Sequence, residues 1–145
     1  MAKITEDYVS LNTAKLLKEK GFNEEAEYVY SDGGELLRLS HLGIKDLTNA
    51  DCNDYHTWQF PIEGVASIIS APTLQMAMKW LVREHKLYVN VAPSVEGYYW
   101  TEKWHSYVEE LSKRHPFGTF IGTFNSYEEA CEAAIKYCLE KKLIL

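Results

Sequence analysis

The stretch Lys86-Leu87-Tyr88-Val89-Asn90-Val91-Ala92 decides the fold. Leu87, Val89 and Val91 alternate with Tyr88 and Asn90, which is the period of a half-buried strand. Such a strand needs an apolar layer on one side only, as antiparallel sheets provide. Upstream lies a helix. Ser70 is expected to cap it, with Ala71 and Pro72 in the first turn, where a missing N–H costs nothing. Helical propensity stays high through Arg83, and Leu74, Ala77, Met78, Leu81 and His85 share one face.

Downstream, residues 93–97 (Pro-Ser-Val-Glu-Gly) are expected to turn the chain. Residues 98–108 read as a long aromatic strand, and residues 118–124 as a third strand after the breaker Pro116. Ser126-Tyr127-Glu128-Glu129 is a capping box, in which serine and second glutamate satisfy each other's end amides. In the helix it opens, Tyr127, Cys131, Ala134 and Cys138 recur on one face, with Ile135 beside them. Lys136, Lys141 and Lys142 suit the negative end of its dipole. Residues 70–145 therefore read helix–strand–strand–strand–helix. The expected class is α+β, a three-stranded antiparallel meander packed against two helices.

The first part of the chain adds a helix and a short hairpin to this frame. Ser10 is a plausible N-cap, and Gly21 stands where a left-handed residue stops a helix. Phe22 is placed to pack back on Leu17, with Ala14 facing the same way and Leu16 at the stripe's edge. Tyr28-Val29-Tyr30 and Leu36-Leu37-Arg38-Leu39 flank the turn Ser31-Asp32-Gly33-Gly34, suggesting two short strands. A short helix over residues 24–30 competes. Residues 43–54 are polar and weakly patterned, a loop or a seam. One compact domain over residues 1–145 is expected, with 1–69 and 70–145 as possible sub-units.

Composition narrows the class of protein. The 145 residues are 46% hydrophobic, 25% charged and 13% aromatic, as in ordinary globular proteins. No apolar run approaches the roughly 18 residues that a membrane span requires. The opening Met1-Ala2-Lys3-Ile4-Thr5-Glu6-Asp7 lacks the apolar stretch of a leader, and three cysteines make no disulfide framework, so a cytoplasmic location is expected. The net charge of −6 argues against broad adhesion to nucleic acid or anionic membranes, because phosphate neutralisation needs clustered cations. Lys15, Lys18 and Lys20 form one local basic cluster, and Lys113, Arg114 and His115 another. Both read first as solvated surface.

The aromatic strand carries the strongest functional signal. Tyr98, Trp100 and Trp104 are expected on one face, and Tyr99, His105 and Tyr107 on the other. One set can fill the core, while an exposed second set would anchor a protein partner or stack on a base or sugar. The competing expectation is that both faces are covered. Tyr99, Trp100, Trp104 and Tyr107 are the interface candidates, joined by Trp80 and Met76 on the less apolar side of the second helix. Cys52-x-x-x-His56, with His41, has an admissible zinc spacing but no second pair to complete four ligands. Asp51-Cys52-Asn53-Asp54-Tyr55-His56 holds the side chains of Cys–His or Asp–His chemistry. No nucleophile elbow, Walker A or dinucleotide glycine pattern accompanies it, so neither an enzyme nor a cofactor or metal is expected.

Three segments carry a resemblance. They run from Tyr8-Val9-Ser10-Leu11 to Lys20-Gly21-Phe22, from Ser70-Ala71-Pro72-Thr73 to Trp80-Leu81, and from Ser126-Tyr127-Glu128-Glu129 to Ala134-Ile135. Together they resemble a family of small uncharacterised proteins of gut bacteria and their prophages or mobile elements. That resemblance implies a cytoplasmic, phage-derived accessory protein and brings no catalytic residues. The order of elements is also similar to that of double-stranded-RNA-binding domains, whose last helix opens with lysines that hold phosphates. Here that turn is Tyr127-Glu128-Glu129, followed by Glu132, which would repel the backbone. The nucleic-acid alternative would therefore rest on Lys113 and Arg114.

Overall fold

The computed structural model describes residues 7–31, 33–42, 48, 68–112 and 118–143. The chain divides into two compact units, residues 1–73 and 74–145.

In the first unit, α1 spans Leu11–Glu19. Ser10 caps it, its hydroxyl accepting from the Thr13 amide at 3.3 Å. At the other end Gly21, at φ +94°, closes a Schellman ending. The Phe22 amide donates to the Leu17 carbonyl at 2.9 Å, and the Gly21 amide to the Lys18 carbonyl at 3.2 Å. Phe22 and Leu17 are both fully buried. Strand β1 (Tyr28–Ser31) pairs antiparallel with β2 (Leu36–Arg38), as the flanked turn suggested, and no helix forms over residues 24–30. A 3-10 turn, Leu39–Leu42, follows.

The hairpin is one strand short of the whole sheet. β3 (Ile68–Ser70) pairs antiparallel with the other edge of β1, giving the order β2-β1-β3. Its three residues are too few for a period to show in sequence. The segment before α1 is fastened to the residues after β3, where the Val9 amide donates to the Pro72 carbonyl at 3.0 Å. The Tyr30 hydroxyl donates to the Val9 carbonyl at 2.6 Å. Val9, Leu17, Phe22, Val29, Leu39 and Ile68 make the core.

This arrangement corrects the reading of Ser70-Ala71-Pro72. Ser70 closes β3 opposite Val29, and Pro72 gives its carbonyl to Val9, so none of the three belongs to the next helix. That helix, α2, spans Leu74–His85. Proline is as compatible with extended backbone as with a first helical turn, which is why the sequence admits both readings.

The second unit has the expected order. After α2 come β4 (Leu87–Glu96), β5 (Tyr99–Glu110), β6 (Thr119–Phe124) and α3 (Tyr127–Tyr137). The strands form an antiparallel meander, β4-β5-β6. Leu87, Val89 and Val108 supply the sheet's buried side chains, and Leu74, Ala77, Leu81, Cys131, Ala134 and Ile135 those of the helices. Ser106 of β5 is fully buried and donates to the Ala130 carbonyl of α3 at 2.8 Å. The chain ends in a π-helical turn, Cys138–Lys142, with Cys138 and Leu139 buried. Lys142 pairs with Glu110 at 3.0 Å.

Two boundaries differ from expectation. Residues 93–96 continue β4 rather than turning, although the register shifts between Pro93 and Val95. Pro93 fits because β4 is an edge strand, where a missing N–H removes no ladder bond. The turn itself is only Gly97-Tyr98, with Glu96 opposite Tyr99. The capping box is also altered. Ser126 accepts from the Glu129 amide at 3.1 Å, but Glu129 accepts from the amide of Asn125, one residue before the cap, at 3.3 Å. No helix among the described residues is long and apolar enough to cross a membrane.

Candidate interaction surface

The β4–β5 hairpin is built to hold its end rigid. Gly97 has φ +60°, and a glycine first in a two-residue loop matches the twist of paired strands. Below the turn, the register shift is accommodated by Glu102 at φ +65°. The Thr101 hydroxyl donates across to the Ser94 carbonyl at 3.0 Å. Lys103 Nζ donates to Asn125 Oδ1 at 2.6 Å, which ties the irregular part of β5 to the start of α3.

Rings continue that bracing on one face. Trp100 meets Trp104 edge to face with centroids 5.9 Å apart, and Trp104 meets Tyr127 likewise at 5.5 Å. Trp104 is half-buried under this contact, whereas Trp100 is 53% exposed. The turn residues extend further into solvent, with Tyr98 fully exposed and Tyr99 80% exposed. Val95, opposite Trp100, is exposed as well. The opposite face carries a second ring group. His105, Tyr107 and Phe120 have centroids 5.4–6.3 Å apart, and His105 Nδ1 lies 3.0 Å from the Thr123 hydroxyl.

The site residues expected from sequence thus part company. Trp100 and Trp104 share one face, His105 and Tyr107 the other, and Tyr99 projects from the tip. Tyr107 is half-buried, and Met76 is exposed on α2. Trp80 needs correcting. It is only 5% exposed and its ring lies 4.7 Å from that of His85. Residue 80 follows residue 77 by three positions, so the buried stripe of α2 is wider than the expected face and takes the tryptophan in. Asp51 to His56, the side chain of His41, and Lys113, Arg114 and His115 lie outside the described residues.

Phe120 and Val95 were not singled out from sequence. Alternation along residues 118–124 offers a signal for Phe120, while Val95 was hidden inside an expected turn. Cys138, on the buried face of the last helix, has its thiol pushed up to about 12 by burial, which keeps it protonated and inert. Among the described residues, no three His, Cys, Asp or Glu side chains gather as a metal site would require. No family model, curated protein or solved structure matches this chain.

Proposed function

We propose that the chain is a non-enzymatic cytoplasmic accessory protein that works by protein–protein contact through the aromatic end of the β4–β5 hairpin. The observation that carries this reading is Tyr98, Tyr99, Trp100 and Val95 exposed together on a hairpin whose base is braced. Tyrosine and tryptophan supply large contact area at small entropy cost and dominate binding energy at interfaces. Bracing of the base spares the backbone ordering that a mobile hairpin would need on binding, so more of the contact energy appears as affinity.

A photo-crosslinking residue in place of Tyr99, in the intact chain and in cells, tests this reading. The expected result is a discrete adduct, to a second copy or to another protein, that disappears with Trp100→Ala. No adduct above that of the same probe at exposed Glu128 would count against the hairpin. The nucleic-acid alternative gains nothing from the described residues, because Glu128 and Glu129 occupy the turn where phosphate-holding cations would stand.

A further inference from the structure

A second surface of the 74–145 unit, lined by none of the exposed residues of the hairpin tip, is shaped for a small molecule. A groove of about 370 Å³ opens between α2, β4 and the first residue of α3. Its α2 wall consists of Gln75, Met78, Lys79 and Val82, positions i, i+3, i+4 and i+7, hence a single helical face. This face lies beside the buried stripe of Leu74, Ala77 and Leu81, so filling the core leaves it unused. Val89 and Val91 of β4 form the floor, and Tyr88 and Tyr127 stand at the sides.

The groove's one formally charged lining group is a cation. Lys79 is exposed and has no carboxylate partner among the described residues, and no acidic side chain lines the groove. The Tyr127 hydroxyl accepts from Gln75 Nε2 at 3.4 Å and is also hydrogen-bonded with Cys131, one turn along α3. Gln75's hydrogen bond pulls the Tyr127 phenol downward, but burial and neighbouring Cys131 outweigh it, so the hydroxyl is kept protonated. Tyr88, 44% exposed, brings a second phenol. Apolar walls with a few convergent polar groups, at a volume of roughly 300–1,000 Å³, are the usual form of small-molecule sites.

The geometry points to a binding site for a small organic monocarboxylate with an apolar body. The carboxylate would lie between Lys79 and the two tyrosine hydroxyls, and the apolar body along Met78, Val82, Val89 and Val91. A cation would meet Lys79 and find no acid, and an uncharged alcohol would leave the lysine without its counter-charge. Charge-assisted hydrogen bonds to a carboxylate are about twice as strong as neutral ones, which sets the expected preference.

The test uses the full-length protein labelled at its methyl groups, titrated with octanoate, octanol and octylamine and followed by NMR. Saturable octanoate shifts confined to Met78, Val82, Val89 and Val91 are expected, with octanol and octylamine weaker by about tenfold or more. Lys79→Gln and Tyr88→Phe alter exposed side chains and should fold unchanged while weakening octanoate binding. Equal response to octylamine, shifts spread over other methyls, or octanoate binding unmoved by Lys79→Gln would each overturn the assignment. So would the absence of saturable binding.

Discussion

Gly21 and Lys86 hold the same kind of position with opposite suitability. Each follows a helix in left-handed backbone, Gly21 at φ +94° and Lys86 at φ +55°. A side chain there costs roughly 1–2 kcal/mol from the clash of Cβ with the carbonyl, whereas glycine sits without strain. Gly21→Ala is therefore expected to lower stability by about 1 kcal/mol in urea unfolding. Lys86→Gly should gain a few tenths to about 1 kcal/mol, since the strain relieved exceeds the extra entropy of an unfolded glycine. Loss of stability in Lys86→Gly would mean that the lysine side chain compensates for its backbone. Only the first of these residues was legible in sequence, because glycine advertises a left-handed turn and lysine does not. Cys138 makes a third prediction at this scale. Its thiol is raised from about 9 to about 12, so between those values the unfolded chain has released a proton that the folded one retains. That contribution to stability is intact below pH 9 and is lost as pH rises toward 12. In a Cys52→Ser background, Ellman's reagent should leave buried Cys131 and Cys138 untouched in the native protein and label both in denaturant. Rapid native labelling of either would place it at the surface.

Elements with a chemically marked end or a clear alternating period are legible in the sequence, and those without either are not. α1 has a serine cap and a glycine stop, and α3 has a capping serine, so both appear where expected. The start of α2 was misplaced because serine and proline suit a strand end as well as a helix start. β3 escaped notice for a different reason. Three residues define no period, and their pairing with β1 crosses a long stretch of chain that sequence alone does not close. The hairpin lies between these cases: its aromatic content was plain, but its exposed end was not, since Pro93 imitates a turn inside an edge strand. At this scale the capping serine can be tested directly. Ser126→Ala removes the acceptor for the Glu129 amide and is expected to cost about 1 kcal/mol, read as a lower urea midpoint at unchanged slope. An unchanged midpoint would indicate that the bond between Glu129 and the Asn125 amide carries the helix start by itself.

The charge of the whole molecule weighs against one kind of partner that the aromatic strand admits. Base stacking and protein contact both use exposed Tyr and Trp, but nucleic acid also demands cations along a phosphate track. The chain has 15 Lys and Arg against 21 Asp and Glu. Near the hairpin, Glu96 and Glu102 are exposed, and Lys103 is engaged with Asn125. Each phosphate contact would contribute close to one unit to the dependence of log affinity on log salt. With no such track beside the rings among the described residues, no saturable binding to double-stranded RNA, double-stranded DNA or single strands is expected, even at low salt. Fluorescence anisotropy at about 20 and 150 mM salt measures this directly. Binding that weakens steeply between those salts would assign the aromatic face to nucleic acid and make Lys113→Ala and Arg114→Ala the first variants. Binding insensitive to salt but lost in Trp100→Ala would signify stacking without phosphate contact. If neither occurs, nucleic acid is removed as the ligand of the exposed rings, and a protein partner or a sugar is left to cover them.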